Sequence, residues 1–220
     1  MRQLVAVAIA GLHLALPAHA VAQTTDPASL GLDAYLDAAY VASDNEPDNH
    51  LWRSKATSPI LDRLALNNAA LWVGKGATSE SRWGFQAGLQ AGEDVDNLES
   101  AEAGGSADVL KHLYYTNVSY LAPLGDRELL LTGGLIPGHI GYENFQAIDN
   151  PTYTRIYGVD YVPYFEWGVS AEYPVDAGLR SKLLVVNGWD YLASPNHLPS
   201  YGLQLQWDLA AESWLRGNLF

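Results

Sequence analysis

Residues 82–92 read Arg82-Trp83-Gly84-Phe85-Gln86-Ala87-Gly88-Leu89-Gln90-Ala91-Gly92. Apolar side chains occupy every odd position of this stretch, and arginine, glycine or glutamine occupies every even position. Because successive side chains of a β-strand point to opposite faces of the sheet, this alternation predicts a strand with one apolar face and one polar face. The stretch therefore favours an all-β fold.

The same alternation recurs in the rest of the chain. It is clearest in residues 32–40, 166–175 and 200–209. Less regular candidates are residues 63–74, 112–121, 128–136, 179–187 and 214–220. With residues 82–92, these segments make nine candidate strands.

The segments between the candidate strands differ in length. Short turns are predicted at residues 123–126, 174–178 and 210–212, and long polar loops at residues 43–60, 92–111, 137–165 and 188–199. Short turns on one side and long loops on the other are typical of outer-membrane barrels, so we expect an antiparallel transmembrane β-barrel with about 8–10 strands in this chain. A soluble β-sandwich has the same alternation and is the alternative.

Aromatic side chains stand at both ends of the apolar face in two predicted strands. Trp167 and Tyr173 mark one strand, and Tyr201 and Trp207 mark the other. Amphipathic rings are enriched at the two lipid–water boundaries of membrane proteins. The placement therefore predicts aromatic girdles.

The N-terminus has the three-part layout of a secretory signal peptide. Arg2 supplies a positive charge, residues 4–16 form an apolar run that Pro17 ends, and small residues within 18–22 offer a cleavage site. We expect residues 1–22 to be the signal peptide and residues 23–220 to form one barrel domain.

The composition limits the classes of function. The chain has 12 basic and 25 acidic residues, a formal net charge of −13, and no cysteine. An acidic protein lacks the basic surface that nucleic-acid binding needs. Without cysteine, thiolate metal sites and a cysteine nucleophile are excluded.

The search for other chemistry gives weak signals. The four histidines after the signal peptide, which are His50, His112, His139 and His197, lie far apart and are interpreted as solvated loop residues. Residues 94–99 carry oxygen ligands at alternate positions, as Ca²⁺ sites can, but a solvated acidic loop is the preferred interpretation. The nucleophile motif Gly-x-Ser-x-Gly is missing from the sequence. The sequence therefore predicts no catalytic residue, metal or cofactor.

The polar faces of the strands carry the candidate pore-lining residues. In a water-filled barrel these side chains would line the path, where carboxylates favour cations and basic groups favour anions. Arg180 and Lys182 would add positive charge to the same path. The candidates are Asp33, Asp37, Arg82, Gln86, Gln90, Glu166, Glu172, Gln204, Gln206 and Asp208.

The long polar segment 137–165 is the candidate constriction loop. It is too long for a hairpin turn and mixes charged groups with aromatic rings. The hypothesis is that it folds into the barrel mouth and narrows it, with Arg155 facing acidic groups such as Glu143. Its candidate residues are Tyr142, Glu143, Asp149, Asn150, Tyr153 and Arg155.

Several short motifs of the chain are more specific than its alternation. The most specific is Val185-Val186-Asn187-Gly188-Trp189-Asp190. The others are Gly31-Leu32-Asp33-Ala34-Tyr35, Gly141-Tyr142-Glu143, Asn150-Pro151-Thr152-Tyr153-Thr154-Arg155, and Pro163 with Glu166-Trp167-Gly168-Val169. These motifs resemble those of the putative beta-barrel porin-2, OmpL-like family of Gram-negative outer-membrane porins.

This resemblance implies a barrel in the bacterial outer membrane that lets small hydrophilic solutes or ions diffuse passively. The implied partners are outer-membrane lipid and the solutes, with a homo-oligomer left open. Chains of that family are considerably longer, and bacterial single-chain barrels have an even number of strands. We therefore expect an N-terminal part of a larger barrel. A small barrel with one strand miscounted is the alternative.

Other functions stay open at this point. A barrel whose interior is filled by side chains would bind a partner or serve a structural role without conducting. An outer-membrane hydrolase would need serine, histidine and aspartate to converge in space.

Overall fold

Hydrogen bonds between consecutive strands organise the chain. The computed structural model describes residues 29–44, 47–98, 105–192, 198–210 and 213–220. The strands of this described part are antiparallel and form one sheet in sequential order. They are β1 (Gly31–Tyr40), β2 (Leu64–Lys75), β3 (Trp83–Ala91), β4 (Leu113–Leu124), β5 (Arg127–Pro137), β6 (Phe165–Pro174), β7 (Leu179–Val186), β8 (Ser200–Ala210) and β9 (Ser213–Leu219).

The prediction of an all-β, antiparallel fold is confirmed, because a strand occupies each of the nine candidate segments. The predicted turn at residues 123–126 is partly wrong. Pro123 pairs with Glu128 and Leu124 pairs with Arg127, so β4 runs further and leaves a two-residue connection. That connection begins with Gly125, whose φ of 66° is accessible to glycine at no steric cost. The predicted signal peptide, His197 and most of the predicted turn at 210–212 lie outside the described residues.

The apolar face of the strands is the exposed face. On β3, Trp83 and Leu89 are 61% and 65% exposed, whereas Gly84, Gly88 and Gln90 on the polar face are buried. On β7, Leu183 is exposed and Leu184 is buried. A soluble sandwich packs its apolar faces together and would show the opposite pattern. An exposed apolar face is expected where lipid is the solvent.

Aromatic rings lie near both ends of the exposed face, as the girdle prediction requires. At the short-turn end, Trp207 lies opposite Leu179, and Trp83 packs on Tyr120 with ring centroids 4.7 Å apart. At the other end Tyr201 is exposed. Trp167 differs, because it is half-buried against the apolar cluster under the loops.

Long and short connections alternate along the meander. The long ones leave one end of the sheet and are called loop 1 (residues 41–63), loop 2 (92–112), loop 3 (138–164) and loop 4 (187–199). Loop 2 holds the helices α1 (Glu93–Asp96) and α2 (Gly105–Leu110). Loop 3 holds two short 3-10 helices, Ala147–Asp149 and Tyr157–Tyr161. Within the described residues, no helix is long and apolar enough to cross a bilayer.

The main apolar cluster lies between the loops and the loop end of the sheet. Loops 2, 3 and 4 contribute to it together with β4, β5 and β6, so the loops are packed onto the wall. Its buried members are Val95, Tyr114, Leu135, Phe145, Val159, Tyr164, Phe165 and Leu192.

Adding a positive charge to the apolar face should show whether that face meets lipid. Leu183→Lys is expected to destabilise the folded protein in liposomes by about 2–4 kcal/mol, the cost of a cation at the lipid-facing midplane. Urea unfolding followed by tryptophan fluorescence measures the change.

The neighbouring Lys182 provides the matched control, because it lies on the polar face of the same strand. Lys182→Leu is expected to change stability by less than about 1 kcal/mol. Similar losses in both variants would contradict a lipid-facing role for the apolar face.

Candidate functional site

The polar face of the sheet divides into a covered part and an open part. Asp37, Gln90 and Glu166 are buried, whereas Glu172, Gln204 and Gln206 are half-buried and Asp208 is exposed. The covered residues lie near the loop end. The open residues lie on β6 and β8, nearer the short turns.

Arg155 of loop 3 is buried where three loops meet. Its guanidinium group donates to Asp94 Oδ2 of loop 2 at 3.3 Å and to Ser58 Oγ of loop 1 at 3.2 Å. It also donates to the carbonyl oxygen of Phe145. The backbone N–H of Ser58 donates to Asp94 Oδ1 at 2.6 Å. One guanidinium group and one carboxylate therefore join loops 1, 2 and 3.

A second buried ion pair joins loops 1 and 3. Lys55 Nζ lies 2.8 Å from Asp160 Oδ2, and both side chains are almost fully buried. Thr57 Oγ1 and Tyr164 Oη donate to Asp160 Oδ1 at 2.8 and 3.0 Å. We call Lys55, Ser58, Asp94, Arg155 and Asp160 the buried ion cluster.

Loop 3 also forms hydrogen bonds with the polar face of the sheet. Tyr153 Oη donates to Asp37 Oδ1 of β1 at 2.8 Å and accepts from Asn67 Nδ2 of β2 at 2.7 Å. The backbone N–H of Ala147 donates to Tyr35 Oη of β1 at 3.2 Å. The loop thus lies against the polar face of β1 and β2.

Other candidate residues of loop 3 stabilise the loop itself. Asn150 bonds to the backbone of Asn144 and Gln146. Glu143 accepts from the backbone N–H of Ile156 at 2.7 Å. The acidic partner of Arg155 is therefore Asp94 rather than Glu143.

Two interpretations from the sequence are wrong. The sequence predicts a solvated acidic loop at residues 94–99, yet Asp94 is fully buried in α1 beside Arg155. The sequence also predicts a solvated His139, yet this side chain is buried with Nδ1 3.0 Å from both carboxylate oxygens of Glu166. Within the described residues, no group of three or more His, Cys, Asp or Glu side chains is placed to hold a metal ion.

His139 ties loop 3 to the far edge of the sheet. Its Nε2 lies 3.2 Å from the carbonyl oxygen of Leu219 in β9. Its own carbonyl accepts from Gln204 Nε2 of β8 at 2.8 Å. A Cβ at Gly202 would lie 2.8 Å from His139 Nε2, so glycine makes room for the ring. Loop 3 therefore contacts both β1 and β9.

The open part of the polar face has groups of both charges. Arg180 of β7 lies 3.2 Å from Asp208 of β8, and both side chains are exposed. Arg216 of β9 donates to Gln206 Oε1 at 2.7 Å. At the short-turn end, Arg82 bonds to Glu128 at 3.2 Å. Asp33 and Gln86 are half-buried on the same polar face.

Burial dominates the electrostatics of the buried ion cluster. It raises the pKa of Asp94 from 3.8 to about 7, although Arg155 acts in the opposite direction. Burial and the neighbouring Asp37 carboxylate raise the pKa of the Tyr153 hydroxyl well above its usual value. Tyr153 therefore stays a proton donor to Asp37 at physiological pH.

Removing Arg155 should leave a buried carboxylate without its cation. Arg155→Met is expected to destabilise the protein by about 3–5 kcal/mol, as for other broken buried pairs. Arg53→Met removes an exposed arginine from the same loop system and should cost less than about 0.5 kcal/mol. Chemical denaturation in detergent micelles compares them. Equal small effects would contradict a stabilising role for the cluster.

Asp94 should make stability depend on pH. Its pKa in the folded chain lies above the unfolded value, so the folded chain binds the extra proton between about pH 4 and pH 7. The contribution of Asp94 to stability is therefore largest below about pH 4 and decreases as the pH rises to about 7, by a few kcal/mol at most, since one pKa unit is about 1.4 kcal/mol. Melting curves at several pH values measure this decrease.

Asp94→Asn removes the titrating group while keeping its size, so the decrease should become smaller in this variant. An unchanged pH profile would show that Asp94 does not titrate in this range.

The comparisons with known proteins agree with this geometry. A family model described as putative beta-barrel porin-2, OmpL-like, matches residues 29–218. Searches of curated proteins and of solved structures found no match. Because the matched region runs from before β1 to residue 218, one residue short of the end of β9, the chain belongs to the OmpL-like family of beta-barrel porins.

Proposed function

We propose that this protein is a passive diffusion channel of the bacterial outer membrane, for small hydrophilic solutes or ions. Family membership supports a general porin role in that membrane. The exposed apolar face fits contact with lipid, and the polar face supplies hydrogen-bonding groups to a water-filled path. No covalent step is involved.

The observation that carries the proposal is the position of loop 3. A loop that only decorated the surface would point away from the wall, but Tyr153 and Ala147 bond to Asp37 and Tyr35 on the polar face. The buried ion cluster holds the same loop from the other side. In this proposal loop 3 reduces the free cross-section next to β1 and β2 and acts as the constriction.

Loops 1 and 2 act in this proposal as supports of the constriction. Loop 1 supplies Lys55 and Ser58, and loop 2 supplies Asp94. None of these side chains is exposed, so they set the position of loop 3 and do not touch the solute. The solute meets the open part of the polar face, where Glu172, Gln206 and Asp208 replace part of its hydration.

Single-channel recording in planar bilayers tests the proposal. The purified full-length protein should give discrete, ohmic conductance steps. Replacing residues 144–152 of loop 3 with a short Gly-Ser linker should raise the conductance, because this segment covers the polar face. His50→Ala, at an exposed position of loop 1 outside the buried ion cluster, should leave it unchanged.

Folded protein that gives no steps would contradict the channel and favour the non-conducting barrel. Steps whose size does not depend on loop 3 would retain the channel but contradict the constriction.

A further inference from the structure

The open part of the polar face carries exposed aromatic rings. On β9, Trp214, Arg216 and Asn218 alternate with Leu215, Gly217 and Leu219. Register pairs the first three with Asp208, Gln206 and Gln204, so they share the polar face. Trp214 is 41% exposed there. The passage of ions alone does not explain why an exposed tryptophan lies on the polar face of the sheet.

Trp214 has two close neighbours that hold its ring in position. Tyr142 of loop 3 stacks on it with ring centroids 5.9 Å apart and an interplanar angle of 27°. The guanidinium carbon of Arg216 lies 4.7 Å from the centre of the tryptophan ring. Tyr142 itself is 64% exposed. The pair therefore offers preorganised ring surface close to the short-turn end of β9.

A second group of rings lies at the loop end of the same strand. Phe220 stacks on His139 at 5.7 Å and meets Trp189 of loop 4 edge-on at 5.3 Å. His139 is held in place by Glu166, while Phe220 and Trp189 are partly exposed. Trp214 and Phe220 are six residues apart, which is about 20 Å of strand. We call Tyr142, Trp189, Trp214 and Phe220 the aromatic row.

Polar groups lie beside the row along its whole length. Gln204 Nε2 donates to Asn218 Oδ1 at 2.9 Å, and Arg216 is bonded to Gln206. Lys182 on the neighbouring strand pairs in register with Gln204. These contacts fix the donors and acceptors in position next to the rings.

Rings and fixed polar groups together match one class of solute. A pyranose ring has faces of C–H groups that pack on an aromatic ring, and a rim of hydroxyl groups that bond to amides and charged groups. Apolar surface with a few well-placed polar groups is how proteins orient such ligands. A simple ion would use the charges but gain little from the rings.

We propose that the aromatic row binds linear oligosaccharides as they pass along the open part of the polar face. This inference rests on the proposed channel function and names its solute class. The two groups of rings, about 20 Å apart along β9, hold sugar units at separate places on one bound chain, and the amides of Gln204, Gln206 and Asn218 between them exchange hydrogen bonds with its hydroxyl groups.

Bilayer recordings with added maltohexaose test the inference. The sugar should interrupt the ionic current of the native channel in a concentration-dependent way. Trp214→Ala and Tyr142→Ala should each weaken binding by about two- to twelvefold, since one aromatic contact contributes about 0.5–1.5 kcal/mol. Trp214→Phe should keep most of the affinity, because a ring remains.

Trp207 provides the matched control. It lies near the same end of the sheet but on the opposite, lipid-facing side, where its register partner is Leu215. Trp207→Ala should not change the binding of maltohexaose. An equal loss in this variant would overturn the inference, because the effect would then reflect general destabilisation.

The two proposals can fail separately. Ionic steps that maltohexaose does not interrupt would overturn the sugar inference and leave the channel intact. Absence of ionic steps would overturn the channel. In that case maltohexaose titration in detergent, followed by tryptophan fluorescence, decides: a signal lost in Trp214→Ala supports binding at the row, and no signal overturns it.

Discussion

Backbone hydrogen bonding in lipid is the constraint on which the structure depends. Within hydrocarbon no water can satisfy N–H and C=O groups, so each must find a partner in the chain. Within the described residues, the meander of β1 to β9 meets this demand between strands that are neighbours in sequence, while β1 and β9 at its two edges do not pair with each other. With the backbone paired, the two faces of the sheet can carry different side chains, and the apolar side chains point outward.

Because the apolar face of the sheet points outward, the loops lie against its polar face, and this determines which contacts can hold them there. Loop 3 packs on β4 to β6 through the main apolar cluster, but β1 and β2 offer it polar groups such as Asp37 and Asn67. On that side the buried ion cluster and Tyr153 supply directional bonds. Buried ion pairs contribute little net stability compared with apolar packing, but losing one partner is costly. Such pairs suit a loop that must keep one position.

The strands could be predicted from the sequence because their signal is local. A period of two is visible within ten residues, as in 82–92, and it does not depend on distant parts of the chain. The motifs that resemble the OmpL-like family predicted the class of protein. The residues at which a turn begins and ends are harder to predict from the sequence. The paired strands β4 and β5 include Pro123, and the turn begins only at Gly125.

The buried ion cluster could not be predicted in the same way. Arg155 is a candidate residue from the sequence, but its partner Asp94 lies 61 residues away in a segment whose composition resembles a solvated loop. Lys55 and Asp160 gave no signal at all. Burial of a charge depends on which loops meet above the wall, and this information is not contained in any short stretch. The lining and constriction roles of the candidate residues remain predictions.

The long sequence separation between the residues that join the loops also affects how the protein folds. Each strand pair of the meander joins neighbours and can form as soon as its hairpin is made. Thr57 and Asp160, by contrast, are 103 residues apart, and Lys55 and Arg155 are 100 apart. Contacts this distant carry a large loop-closure entropy until the intervening chain is ordered. We therefore expect the strand hairpins to form before these loop contacts, which need β2 to β5 to be in place.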